Sequence, residues 1–218
     1  MASKPYPFEI HDLEPHEAEK MKLFSGEKTG FVRIGPKGYV FPHRFLEIGA
    51  DIYNMAIRPS DVFVVTYARS GTTWTQELVW LVANDLDYDT AKSIYLTERF
   101  PSLEFSMMVH PIMIQHYLEN CNGDEKKQKK IKMVTSHIVN QLEVAPSPRF
   151  IKIHVPLSLL PPNLLDAKVV YVARDPRDVV VSFYHLCCSM TFTRWTGDFK
   201  SFWNCFISDL QVFWDLYV

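Results

Sequence analysis

The run DVFVVTY at 61–67 constrains the fold more than any other stretch. It is nearly continuously apolar and rich in β-branched residues, the pattern of a strand covered on both faces rather than of one with a wet side. Directly after it comes TYARSGTTW, residues 66–74, where a small polar turn leads into helical spacing with Trp74, Leu78, Leu81 and Val82 on one stripe, running out at Asn84 and Asp85. The same unit recurs as the strand KVVYVA at 168–173, the turn Arg174-Asp175-Pro176-Arg177-Asp178, and a helix through Ser182 and Tyr184. Between them lies FIKIHV at 150–155, stopped by Pro156. Alternation puts Ile151, Ile153 and Val155 on one face, with Lys152 and His154 together on the other. Strands alternating with helices predict an α/β fold, a single domain whose central, mainly parallel sheet is flanked by helices and carries a P-loop-like phosphate-binding turn. Residues 1–58, broken by Pro5, Pro7, Pro15 and a Gly35-Pro36-Lys37-Gly38 turn, are expected to form an N-terminal extension packing on the α/β domain of 59–218.

The remaining segments are less patterned. Residues 86–148 suggest a short helix near 89–96, a loop rich in Met, Phe and Pro, and the charged run Asp124-Glu125-Lys126-Lys127-Gln128-Lys129-Lys130, read as a solvated loop or helix face. Phe100, Phe105, Met107 and Met108 could line a lipophilic pocket or be plain core. Asp198 is a plausible N-cap for a last helix with apolar residues at Phe199, Phe202, Trp203, Phe206, Leu210, Phe213, Trp214 and Tyr217. That stripe is still running at Val218, so its cover is the rest of the fold, a second copy in a homodimer, or a segment beyond the chain.

Charge and cysteine usage exclude several functions. With 23 basic and 25 acidic residues the net charge is −2, so there is no global field to gather nucleic acid or an anionic membrane. Any anion site must be local. MASKPYPFEI lacks the apolar run of a signal peptide and no stretch approaches bilayer length, which predicts a soluble, cytoplasmic protein. The four cysteines show no Cys-x-x-Cys spacing and read as reduced thiols; no metal is expected.

In open parallel sheets, ligands bind outside the carboxyl ends of the strands. Arg69, His154 and Arg174 each lie at or just past the carboxyl end of a different apolar strand. At the first turn Gly71 permits close backbone approach, Ser70, Thr72 and Thr73 add hydroxyls, the first helical amides lack internal partners, and Arg69 adds charge, which together make a phosphate cradle. The spacing is not the Walker pattern. The same turn also fits a simple helix cap, His154 fits a structural histidine as well as a general base beside Lys152, and Arg174 fits a loop ion pair with Asp175 or Asp178.

Read together and in order, TYARSGTTW, FIKIHVP and YVARDPRDVVVSFYH resemble the cytosolic sulfotransferase family, over roughly 35–210. The resemblance implies 3′-phosphoadenosine 5′-phosphosulfate as co-substrate, no metal, and a small lipophilic hydroxyl acceptor such as a phenol, steroid or retinoid-like alcohol. Carried onto matching positions, it implies that Arg69, Ser70, Gly71, Thr72 and Thr73 hold the 5′-phosphosulfate, Trp74 stacks on adenine, and Arg174 with Ser182 binds the 3′-phosphate. Lys152 would face the sulfuryl group, and His154 would take the acceptor proton. The family turn carries Pro-Lys where this chain has Ala68-Arg69, and arginine does not donate a proton near neutrality. Arg69, the long segment between Trp74 and His154, and the Gly-Pro-Lys-Gly turn resemble the insect branch that includes retinol dehydratase. Family members continue well past the last helix with a further nucleotide-contacting loop, so the chain reads as C-terminally truncated. The competing expectations are a non-catalytic nucleotide- or partner-binding protein and, more weakly, a nucleotide kinase.

Overall fold

The structure is a computed structural model that describes residues 5–211. Its centre is a three-stranded parallel sheet in the order β5-β4-β6, from β4 (Val62–Thr66), β5 (Phe150–Ile153) and β6 (Lys168–Val172). A second, antiparallel sheet precedes it in the chain: β1 (Ile10–Asp12), β2 (Phe31–Ile34) and β3 (Tyr39–Pro42). The sequence reading had no sheet there, because each strand is only three or four residues long and too short to show a period. Around these lie α1 (Pro15–Met21), α2 (Gly49–Asn54), α3 (Thr72–Ala83), α4 (Tyr88–Ser93), α5 (Leu96–Arg99), α6 (Phe105–Met108), α7 (Pro111–Glu119), α8 (Glu125–Thr135), α9 (Val139–Val144), α10 (Pro176–Ser189) and α11 (Phe199–Ile207). The charged run is thus the cap and the amino-terminal part of α8, with Asp124 accepting from the Lys127 amide. No described helix is long and apolar enough to cross a membrane.

One hydrophobic cluster joins both sheets: Val32, Ile34, Phe41 and Phe45 pack in it with Phe63, Val65, Ile151, Ile153, Val155 and Phe202. β4 is buried along its whole length, as a central strand with two covered faces should be. At the edge, Lys168 and Tyr171 of β6 are exposed. The alternation in β5 holds: Ile151, Ile153 and Val155 are fully buried on one side. At the free edge of β5 a second segment joins, because the Lys152 amide donates to the Pro101 carbonyl and the Leu103 amide to the Lys152 carbonyl.

Two expectations need correction. The stripe Trp74, Leu78 and Val82 of α3 is exposed and Leu81 only half-buried; the face turned inward is Thr72, Thr75, Gln76 and Trp80. Hydrogen bonds join apolar packing of Trp80 in setting this rotation: Thr72 Oγ1 lies 2.6 Å from Thr66 Oγ1, the Gln76 side-chain amide donates to the Phe100 carbonyl at 3.1 Å, and Trp80 packs with Val62, Val64 and Phe100. The last helix is capped by Asp198 as expected, but it ends at Ile207. Asp209 takes a left-handed conformation at φ 50°, which breaks the helical path and lets Leu210 bury. Phe213, Trp214 and Tyr217 lie outside the described residues.

The amino end of the parallel sheet is closed by an ion pair that the solvent does not reach, with Arg149 and Asp61 side chains 1% and 0% exposed. Arg149 Nε donates to Asp61 Oδ1 at 2.8 Å and its Nη2 to Oδ2; the remaining donors reach the carbonyls of Leu142 at 3.0 Å and Ala56 at 2.7 Å. Removing the charge of one partner from a buried pair strands the other. Asp61→Asn is therefore expected to lower unfolding free energy by about 3–5 kcal/mol in urea titrations. A loss under about 1 kcal/mol would mean that the guanidinium is held by the carbonyls alone.

Candidate active site

The turn after β4 is built from two left-handed residues, Arg69 at φ 70° and Gly71 at φ 99°. For Gly71 this conformation is nearly free, and a Cβ there would meet nothing within 4 Å, so open space lies above the backbone. For Arg69 it is costly, and neighbouring contacts compensate: Arg69 Nε donates to Ser182 Oγ at 2.9 Å, and Arg174 Nη1 donates to the Arg69 carbonyl at 3.1 Å. The two strand-turn-helix units are therefore locked to each other at their turns. The choice left open for the arginines resolves into a division of labour. Arg177 takes Asp175, donating from Nε at 3.0 Å and from Nη2 at 2.6 Å, whereas Arg174 lies 3.9 Å from Asp178 and reaches the turn.

A cavity of about 530 Å³ opens at this edge. Arg69, Gly71, Thr72, Thr73, Trp74, Lys152, His154, Arg174 and Ser182 all line it, so three separated segments converge on one space. Ser70 does not line it; its hydroxyl is buried without a hydrogen-bond partner among the described residues. Trp74 is 73% exposed, presenting an indole face at the mouth. The lining also has a lipophilic part, with Phe24, Phe105, Met108, Leu186, Met190 and Phe192. Of the four residues weighed as pocket lining, Phe105 and Met108 belong here, Met107 is fully buried core, and Phe100 faces a neighbouring cavity of about 790 Å³ that shares Thr73, Phe105 and Lys152 with the first. Among the described residues no cluster of His, Cys, Asp and Glu could hold a metal ion.

His154 Nδ1 sits 2.7 Å from the Thr66 carbonyl oxygen and 3.1 Å from Thr66 Oγ1. A carbonyl only accepts, so Nδ1 carries the hydrogen and Nε2 carries the lone pair, the tautomer a proton acceptor needs. Burial, and then the Lys152 cation, hold the imidazole well below its ordinary pKa, against the opposing pull of the Thr66 carbonyl. Lys152 is itself lowered by burial and supported by Glu104; burial raises the Glu104 carboxyl, and Lys152 opposes that rise.

Glu104 is the site residue that the sequence did not disclose. It is 2% exposed, lines the cavity, and has one carboxylate oxygen, Oε2, buried with no hydrogen-bond partner among the described residues. It comes to the site only because Pro101 and Leu103 hydrogen-bond to the backbone of Lys152. The available signal was a carboxylate in an otherwise apolar stretch, Phe100-Pro101-Ser102-Leu103-Glu104-Phe105.

The family model described as "Sulfotransferase domain" matches residues 59–218. Luciferin sulfotransferase of Photinus pyralis is 34% identical over 187 residues, covering 84% of this chain and 47% of that protein. Sulfotransferase 4A1 of Homo sapiens is 33% identical over 177 residues, 76% of this chain and 52% of that protein. The chain thus spans about half the length of the curated relatives it matches. Among solved structures, retinol dehydratase in a complex with retinol and PAP, and the same enzyme with androsterone and inactive cofactor PAP, each superpose with a TM-score of 0.85 at 39% identity. Those matches cover 96% of this chain and 64% of theirs.

Because Lys152 lowers the neighbouring imidazole, removing its charge has a definite sign. In Lys152→Met the His154 titration midpoint, followed by NMR of the ring, is expected to rise toward, but stay below, the ordinary value of about 6.5, since burial remains. A midpoint that stays put or falls would show that the cation does not act on the ring.

Proposed function

The chain belongs to the sulfotransferase family, and from that premise we propose that it moves a sulfuryl group from 3′-phosphoadenosine 5′-phosphosulfate to the hydroxyl of a small lipophilic acceptor. The supporting observation is the shared cavity: an imidazole with a lone pair on Nε2, an anion-binding turn and a lipophilic wall face one space. In this reading Arg69, Gly71, Thr72 and Thr73 hold the phosphosulfate through side chains and the first amides of α3, while the buried Ser70 hydroxyl stays outside the cavity. Trp74 offers its exposed face to the adenine, and Arg174 with Ser182 takes the 3′-phosphate. Both arginines fit an anion of this kind, since a guanidinium fork pairs with phosphate oxygens.

His154 Nε2 removes the acceptor's hydroxyl proton as its oxygen attacks sulfur in line. The bond from sulfur to the bridging oxygen breaks, and that oxygen stays on the nucleotide with the electron pair. Arg69, Lys152 and the α3 amides stabilise the charge that develops there. Arg69 contributes charge without a proton, and the leaving oxygen needs none, because it becomes part of a phosphate of low pKa. The acceptor's apolar body would lie against Phe24, Phe105, Met108 and Phe192. The two solved relatives are complexes with retinol and with androsterone, which favours an alcohol of the retinoid or steroid class here. The same reading puts the protein in the cytoplasm, with neither membrane nor nucleic acid as a partner.

Transfer of radiolabelled sulfonate to a panel of phenols, steroids and retinoids tests the proposal. His154→Ala should lower turnover by roughly 10²–10⁴-fold while binding of adenosine 3′,5′-bisphosphate, measured by calorimetry, is unchanged. Turnover that survives the substitution removes His154 as the base. Tight bisphosphate binding with no transfer to any acceptor would instead favour a nucleotide-binding protein without catalysis.

A further inference from the structure

Thr66 is the last residue of β4 and is fully buried. Its carbonyl and its hydroxyl both face His154 Nδ1, at 2.7 and 3.1 Å, and its hydroxyl also lies 2.6 Å from the hydroxyl of Thr72. Counting hydrogens gives these contacts a direction. Nδ1 carries a hydrogen because the carbonyl can only accept, so Thr66 Oγ1 is an acceptor toward the ring and its own hydrogen points to Thr72 Oγ1. Thr72 Oγ1 then accepts from Thr66, and its own hydrogen is left for another acceptor. Thr72 opens α3 and lines the cavity beside Arg69 and Gly71, so an anionic oxygen in the turn is in the right place to take that hydrogen.

We infer that Thr66 is a positioning residue whose hydroxyl, bonded to Thr72, couples occupation of the phosphate cradle to the tautomer and basicity of His154. The inference rests on the proposed sulfuryl-transfer reading for the identity of the occupant, a phosphosulfate oxygen of the nucleotide. Each link strengthens the next. An anion accepting from Thr72 makes Thr72 Oγ1 a better acceptor for Thr66, which in turn makes Thr66 Oγ1 a better acceptor for Nδ1–H. A stronger acceptor at Nδ1–H raises the basicity of Nε2. The base is thereby strengthened when the donor is bound, which offsets the depression imposed by burial and Lys152. The carbonyl alone would hold the tautomer but would not report on the cradle.

The test is a side-chain ¹⁵N spectrum of histidine-labelled protein, with His154 assigned by its loss in His154→Gln. Adding adenosine 3′,5′-bisphosphate should shift both ring nitrogens of His154 in the wild type. In Thr66→Val, which keeps the carbonyl and removes the hydroxyl, the shift should fall to under about a third of the wild-type value, and Thr66→Ser should restore it. Where transfer is measurable, Thr66→Val should lower kcat about tenfold with the bisphosphate Kd changed less than about twofold. An unaltered shift in Thr66→Val overturns the coupling. If the bisphosphate fails to bind, the nucleotide reading falls, and the same comparison is made with inorganic phosphate as the anion. A wild-type shift lost in Thr66→Val then sustains the relay, and no response to either anion overturns it.

Discussion

The placement of the site depends on a buried guanidinium at the opposite end of the sheet. Arg149 and Asp61 stand immediately before β5 and β4, and their pairing brings the two strand starts into line, with Val62 opposite Phe150 and Val64 opposite Lys152. Side chains alternate along a strand, so a slip of one residue would turn Lys152 and His154 into the hydrocarbon core and Ile151 and Ile153 toward the cavity. Carrying the register two residues further puts His154 beside Thr66, where their hydrogen bonds are found. An interaction sealed from solvent at the amino end thus determines which imidazole face meets the turn at the carboxyl end. The hydrophobic pattern of β5 opposes a slip of one residue but tolerates a slip of two, which keeps the alternation, and the ion pair selects among those registers.

Much of the architecture was legible because the signals are local. The three parallel strands, the helices after their turns and the cap at Asp198 all follow from patterns within a few residues. The convergence of Arg69, His154 and Arg174 on the cavity was legible for the same reason, since strand ends converge in a parallel sheet whatever the details of the connections. What escaped was set by distant contacts. The inward face of α3 carries Thr72, Thr75 and Gln76, whose partners are Thr66 and Phe100 for the first and last, so a hydrophobic stripe pointed the wrong way. Glu104 reaches the cavity because Pro101 and Leu103 pair with the Lys152 backbone, a contact between distant segments that no periodicity could reveal.

The turn between β4 and α3 shows where conformational strain is placed. A non-glycine residue in the left-handed region costs roughly 1–2 kcal/mol, and Arg69 adopts it next to the open space over Gly71. That backbone choice throws the guanidinium toward α10, where Ser182 holds it, and turns the carbonyl toward Arg174. A cation held in advance loses less side-chain freedom when an anion arrives than one that must be gathered from solvent. Lysine at the same position would present a single point charge to Ser182, whereas the guanidinium can keep that bond from Nε and direct its terminal nitrogens elsewhere.

The charges around Lys152 then resolve an apparent conflict in the site. A cavity meant for an anion benefits from cations, yet a general base must remain unprotonated, and a carboxylate nearby would normally promote protonation. Here the carboxylate is placed to act on Lys152, while Lys152 acts on His154. Glu104 supports the lysine cation against burial, and that cation keeps the imidazole neutral. The hydroxyls of Thr66 and Thr72 sit on the other side of the ring, where they can restore basicity without adding charge. In the proposed reaction, neutrality of the resting imidazole and strength of the working base would thus fall to different neighbours, one acting through a full charge and the other through hydrogen-bond polarisation.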